Sequence, residues 1–144
     1  MVGDGEERRT LELAAETLGV GSITSWLGWQ KDKQDLVRRY QQADLVINPS
    51  LYEGMPNVVL EAMACGRPVV ASDIPGNNTL VRSGETGLLF PLGDGAALHR
   101  ALANLRREPV AARRLGENAR RRMEAEFSWA RVAQSYLELL GRGI

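Results

Sequence analysis

The chain has one cysteine and one histidine in 144 residues, no excess of charge of either sign, and no apolar run near the length that spans a bilayer. Each scarcity excludes something. A single thiol, Cys65, cannot close an intramolecular disulfide and has no partner for a cysteine-rich metal site. A reducing, cytoplasmic compartment is therefore expected, with no metal and no cofactor. His99 stands alone in the periodic run 96–105, as a solvated helix position or as an isolated catalytic group, and histidine-based catalysis within this chain is not expected. Eighteen basic residues balance eighteen acidic ones. No global field then recruits nucleic acid or an anionic membrane, and any bound anion must be held by local groups. The N-terminal Met-Val-Gly-Asp-Gly lacks the apolar core of a signal peptide, and no integral membrane segment is expected.

What is present is ordinary for one globular domain, with 44% hydrophobic and 25% charged residues. Leu11, Leu13, Ala14, Ala15 and Leu18 recur at helical spacing over residues 6–18, and Gly19 supplies a stop. Residues 23–27 read as a strand ending in a turn at Gly28, and residues 33–42 as a helix with Leu36, Val37 and Tyr40 on one face. Residues 45–49 form an apolar run bounded by turn residues, the pattern of an interior parallel strand. The alternation continues with a helix over 57–65, a strand over 68–71, a short helix over 77–82 and a strand over 87–90. From residue 93 to 144 the reading is a helical segment, with helices over 95–106, 110–126 and 129–140. This spacing predicts one α/β domain over 1–144, a parallel sheet with helices on both faces. Arg113, Arg114, Arg120, Arg121 and Arg122 form either a nucleic-acid patch or, with Glu117, Glu124 and Glu126 among them, a solvated helix face; the second is expected, with no nucleic-acid partner.

In open α/β sheets ligands bind outside the carboxyl ends of the strands, so the turns there matter most. The first is Ser50-Leu51-Tyr52-Glu53-Gly54-Met55-Pro56-Asn57, running into the helix that begins near Val58. Gly54 permits a close turn, and Pro56 suits the first helical turn, where its missing N–H has no partner. Free amides around Met55, Asn57 and Val58 then make an anion site suited to a phosphate or diphosphate. Glu53 precedes that helix and Glu61 lies one turn into it, on the face of Asn57. Two carboxylates there either complement the helix dipole or accept hydrogen bonds from the hydroxyls of a phosphate-linked polyol such as a nucleotide sugar. The second turn, residues 72–79, is an Asx-type cap or a ligand contact, and Gly84-Glu85-Thr86-Gly87 reads as a structural turn into an edge strand.

The segment Pro49-Ser50-Leu51-Tyr52-Glu53-Gly54-Met55-Pro56-Asn57-Val58-Val59-Leu60-Glu61-Ala62-Met63-Ala64-Cys65-Gly66-Arg67-Pro68-Val69-Val70-Ala71-Ser72-Asp73 resembles the donor-site segment of retaining glycosyltransferases of the GT-B fold, group 1. Gly3-Asp4-Gly5, Leu27-Gly28-Trp29, Gly84-Glu85-Thr86-Gly87-Leu88-Leu89 and Phe127-Ser128-Trp129 extend the resemblance over nearly the whole chain. It implies a Rossmann-like donor-binding domain that takes a nucleoside diphosphate sugar as substrate. Glu53 is implied as the catalytic-site carboxylate contacting hydroxyls of the transferred sugar, and Glu61 as the ribose ligand. The amides of Gly54, Met55, Pro56–Asn57 and Val58 are implied at the sugar and diphosphate, and Gln30, Lys31 and Asp32 at the nucleobase. The implied reaction is metal-independent transfer of a hexosyl group with retention, the departing diphosphate deprotonating the acceptor.

The departures set further expectations. The family's first strand and helix, with an arginine and a lysine that grip the diphosphate, precede the part that matches Gly3, as does an N-terminal acceptor domain. The missing strand belongs between a strand at Met1-Val2 and the one at 45–49. Thr79 stands where many members have glutamate. The chain alone is therefore expected to be inactive, a truncated product needing its N-terminal half or a self-oligomer. A catalytically silent nucleotide-sugar-binding regulatory subunit and a remnant acting only as an interaction surface are the alternatives.

Overall fold

The computed structural model describes residues 1–141. The chain forms two compact units, Met1–Arg38 and Arg39–Ile144. In the first, α1 (Arg8–Thr17) is a two-sided helix whose Arg8 pairs with Glu12 one turn on, N to O 2.8 Å. The residues expected as a strand over 23–27 do not form one. Gly21–Ile23 is instead a 3-10 turn, and Ile23 is 82% exposed. β-branched residues make a strand only where a neighbouring strand completes the ladder. Here the pairing stops at a single antiparallel bridge, Gly3 with Gly28, plus Leu27 N–H to Met1 O at 2.9 Å. The strand expected at Met1-Val2 is likewise no more than that bridge.

The second unit carries the sheet. α2 (Lys33–Gln42), which begins in the first unit and ends in the second, leads into β1 (Val46–Asn48), α3 (Asn57–Ala64), β2 (Val69–Ser72), α4 (Pro75–Leu80), β3 (Leu88–Phe90), α5 (Gly95–Arg107), α6 (Pro109–Glu126) and α7 (Trp129–Gly141). The three strands are parallel in the order β1-β2-β3, with Val46 opposite Val69 and Val70 opposite Leu88. The interior position belongs to β2, whose four residues are all buried, and not to the 45–49 strand as its apolar run suggested. β1 is an edge, with Ile47 41% exposed, because among the described residues only β2 pairs with it.

Alternation along β2 sends Val70 to one face of the sheet and Val69 and Ala71 to the other. Val70 packs with Phe90, Leu105 and Leu115, and with Leu98, Ala101 and Leu102 of α5 around them. α3 contributes Val59, Ala62 and Met63 without solvent exposure, each worth about 1 to 3 kcal/mol of burial. α6 crosses the end of α3 so closely that a Cβ on Gly116 would meet the carbonyl oxygen of Gly66, its carbonyl carbon at 2.9 Å and Pro68 Cδ at 3.2 Å.

The arginine-rich helix is not a uniformly solvated face. Arg122 is 11% exposed, donates to the carbonyls of Thr79 (3.1 Å) and Leu80, pairs with Glu126 at 3.0 Å, and lies over the Phe127 ring. It thus serves the last carbonyls of α4, which has no continuing turn to satisfy them. Arg120 pairs with Glu124 at 2.9 Å on the exposed side. His99 is exposed on α5, as a solvated helix position. α7 has no buried residue, and no helix among the described residues is long and apolar enough to cross a membrane.

Gly116→Ala tests the close crossing. Alanine is the better helix former by about 1 kcal/mol, yet the blocked approach costs about 3 kcal/mol, so a net loss near 2 kcal/mol is expected in urea unfolding. An unchanged or raised midpoint would show that α6 does not depend on the approach.

Candidate functional site

The carboxyl ends of β1 and β2 carry the residues singled out by sequence. After β1 the chain turns through Ser50 and Glu53 and enters α3 with no capping side chain, since the residue at the cap is Pro56. Pro56 stands in the first helical turn, as its missing N–H suggested, at the cap just before the first helical residue. Its ψ of 114° is extended, and its carbonyl accepts from Val59 N–H (3.1 Å) and Leu60 N–H (3.2 Å). Asn57 and Val58 therefore supply the leading amides of the helix, at the positive end of its dipole, and both residues are exposed. Gly54 also differs from expectation. It makes no close approach to the chain, since a Cβ there would meet nothing within 4 Å among the described residues, and its φ is not positive. Leu51, Tyr52, Met55 and Val58 add exposed apolar surface around the same loop.

The two glutamates are each held by a hydroxyl donor. Ser50 Oγ lies 2.7 Å from Glu53 Oε1. The Tyr40 phenol, at the end of α2, donates to Glu61 Oε2 at 2.9 Å. Burial, and then the hydrogen bond to Glu61, pushes that phenol well above its ordinary pKa, so Tyr40 remains a donor through the neutral range. One oxygen of Glu61 is thereby held, on a residue that is otherwise exposed.

Beneath Glu53 lies a buried polar chain that the residue pattern did not reveal. Asn77 has no solvent exposure and joins three elements: its Nδ2 donates to Ser72 O at 2.9 Å, and its Oδ1 accepts from Asn48 Nδ2 at 3.0 Å. Ser72 Oγ donates to the backbone carbonyl of Ser50. The second turn is thus neither a simple Asx cap nor an exposed ligand loop, because Asn77 points inward. Gly76 completes the support: a Cβ there would strike the Glu53 carbonyl and sit 2.8 Å from Glu53 Cβ, so only glycine lets α4 back the Glu53 loop this closely. Thr79, whose hydroxyl donates to Pro75 O at 2.8 Å, is engaged within α4. The sequence signals for these residues were faint: an asparagine closing an apolar strand, and a Pro-Gly-Asn start to a short helix.

Gln30, Lys31 and Asp32 belong to the first unit, and Glu53 to Glu61 to the second. Gln30 Nε2 donates to Leu27 O at 2.6 Å, Asp32 Oδ1 accepts from Gln34 N–H at 2.7 Å ahead of α2, and Lys31 is exposed. Among the described residues no three His, Cys, Asp or Glu side chains converge as a metal site. Cys65 is free, and partial burial raises its thiol pKa.

The chain is similar to known proteins. The family described as glycosyl transferases group 1 matches residues 1–122. The lipopolysaccharide core biosynthesis glycosyltransferase LpsE of Rhizobium meliloti is 33% identical over 140 residues, covering 97% of this chain and 40% of that protein. The solved sucrose-phosphate synthase of Thermosynechococcus elongatus is 37% identical with a TM-score of 0.84, over 96% of this chain and 36% of its own. Anabaena HepE, solved in complex with UDP-glucose, is 28% identical with a TM-score of 0.86, over 99% of this chain and 40% of its own. The chain spans about 40% or less of each of these proteins. Its parallel α/β unit has the fold of the C-terminal part of GT-B glycosyltransferases, and the chain belongs to the group 1 glycosyl transferases.

Proposed function

We propose that this chain is the donor-binding part of a retaining glycosyltransferase that takes a hexosyl group from a nucleoside diphosphate sugar. The observation that carries the reading is the pair of carboxylates set on either side of an uncapped helix start, Glu53 before α3 and Glu61 one turn into it, each held by a hydroxyl donor. A carboxylate is a poor neighbour for a diphosphate and a strong acceptor for hydroxyls. The arrangement therefore suits a ligand with phosphate in its middle and polyols at both ends. Glu61, steadied by Tyr40, takes the ribose hydroxyls, and Glu53 takes hydroxyls of the transferred sugar. The amides from Gly54 to Val58, with Pro56 shaping the turn, receive the sugar and diphosphate. The open space before Gly54 lets that ligand approach the backbone. The complex of HepE with UDP-glucose supports a ligand of this class.

In this reading the charge that develops on the departing diphosphate is stabilised by the α3 dipole and its leading amides, and no metal or cofactor is assigned that work. The diphosphate leaves on the face where the acceptor enters and takes the acceptor proton, giving retention. Residues beyond the present chain supply the acceptor site and the cationic grip on the diphosphate, which the greater length of the relatives supports. The isolated chain then binds donor and does not transfer.

Three outcomes are expected. In calorimetric titrations with UDP, GDP and ADP, one nucleotide binds, and Glu61→Ala weakens it by about 2 kcal/mol, the value of a hydrogen bond to a charged group. Equal affinity for all three would contradict the selection of one base, and an unaltered Kd in the variant would contradict the ribose assignment. Tyr40→Phe weakens the same nucleotide about fivefold by freeing Glu61 to move, while leaving unfolding within about 1 kcal/mol of wild type. Loss of the fold without a separate loss of affinity would make Tyr40 structural only. In a transfer assay with a labelled sugar nucleotide, the purified chain shows no turnover, and transfer at an ordinary enzymatic rate would refute the need for a further domain.

A further inference from the structure

Gly76 is required by a contact and not by its own backbone. It stands in the first turn of α4 with a φ outside the left-handed region, so the helix itself would accept alanine there. What excludes a side chain is the main chain of Glu53. A Cβ at 76 would strike the Glu53 carbonyl oxygen and lie 2.8 Å from both its carbonyl carbon and its Cβ. Carbon atoms rest against one another at about 3.5 Å, so a methyl group there demands a displacement of about 1 Å. The two sides of the contact differ in how far they can give. α4 is pinned at its start by Asn77, bonded to Ser72 O (2.9 Å) and Asn48 (3.0 Å), and at its end by Arg122 on the carbonyls of Thr79 and Leu80. On the other side Leu51, Tyr52 and Met55 are exposed, and a Cβ on Gly54 would meet nothing within 4 Å among the described residues. The Glu53 loop is therefore the part that lifts. The lift ends at Pro56, whose carbonyl is bonded by Val59 and Leu60 N–H, and α3 beyond it is anchored by buried Val59, Ala62 and Met63.

We propose that Gly76 is a positioning residue for Glu53: its missing side chain sets how far that carboxylate stands toward the transferred sugar, separately from the nucleotide end held by Glu61 and Tyr40. The proposal rests on Glu53 being the carboxylate that meets the sugar. A lift of about 1 Å carries a hydrogen bond of ordinary length past the distance at which it still counts as one. Glu61 keeps its bond to Tyr40 of α2, and the leading amides at Asn57 and Val58 stay with α3. Residue 76 thus acts on one end of the ligand. Ser72 holds the same loop down from β2, since its hydroxyl donates to the Ser50 carbonyl.

The test compares Gly76→Ala, Ser72→Ala, Glu53→Ala and the pair Gly76→Ala with Glu53→Ala. Calorimetry uses UDP with UDP-glucose, GDP with GDP-mannose and ADP with ADP-glucose. Gly76→Ala keeps nucleotide affinity within about twofold and loses about tenfold in the advantage of the sugar nucleotide over it, the size of one hydrogen bond to a charged group. Ser72→Ala loosens the loop without adding an atom and loses part of the same advantage, about threefold. Once Glu53→Ala has removed the carboxylate, Gly76→Ala takes away nothing more; a merely structural role adds its own loss to the pair. An unchanged advantage, an equal loss for nucleotide and sugar nucleotide, or a further loss in the pair overturns the proposal. If Gly76→Ala does not fold, Ser72→Ala decides by the same split. A ligand-free measurement separates the proposal from the donor-site reading. In Gly76→Ala, or in Ser72→Ala in its place, the backbone amide resonances of Glu53 and Gly54 shift while those of Tyr40 and Glu61 stay. If wild type binds none of the six probes, the donor-site reading fails while these resonances still decide the part of residue 76, and unmoved signals at Glu53 and Gly54 overturn it.

Discussion

Everything at the carboxyl edge of this sheet depends on one side chain amide, that of Asn77. It ties α4 to the ends of β1 and β2, and Ser72 Oγ extends the tie to the backbone of Ser50. Each bond replaces water for a group that has none, so every member of the chain must be paired or lose about 1 to 3 kcal/mol. That requirement sets the loop between Ser50 and Pro56 in place, and with it the direction from which α3 begins. The close backing of Glu53 by Gly76 follows from the same packing. A site at a helix start needs a rigid floor, and here the floor is polar and fully internal.

Much of this was legible in the residues. The α/β alternation follows from apolar runs of strand length separated by runs with helical period, and the helices after residue 93 fall within about one residue of their expected ends. Glu53 and Glu61 could be placed at the start of α3 because Gly54, Pro56 and Asn57 punctuate the chain there. What was not legible depends on neighbours. Residues 23–27 have strand composition and no partner strand, and the 45–49 run is apolar enough for an interior position that β2 holds instead. Pairing is a property of the sheet and not of the segment. The inward turn of Asn77 is of the same kind. A Pro-Gly-Asn sequence promises a turn, and only the arrival of Asn48 from 29 residues away makes its amide a core group.

Arg122 shows how a reading by composition fails in detail. It sits in a run of arginines interleaved with glutamates, the pattern of a solvated face, and Arg120 behaves so. Arg122 instead spends its guanidinium on the open end of α4 and on Glu126, whose carboxyl its hydrogen bond holds below the usual value. The short helix that carries Gly76 and Asn77 is thus secured at its start by the buried amide and at its end by an arginine from α6. Its six residues could not hold a helix by propensity alone.

The central claim is that the amides opening α3 and the two glutamates beside them receive a nucleoside diphosphate sugar. The most direct measurement follows the backbone amide resonances during titration with UDP-glucose, GDP-mannose and ADP-glucose in turn. The account predicts that one of these ligands moves the signals of Gly54, Asn57, Val58 and Glu61 together, saturably, with those of α5 and α6 still. Saturable shifts confined to other parts of the chain, or none at the start of α3 with any of the three, would contradict it.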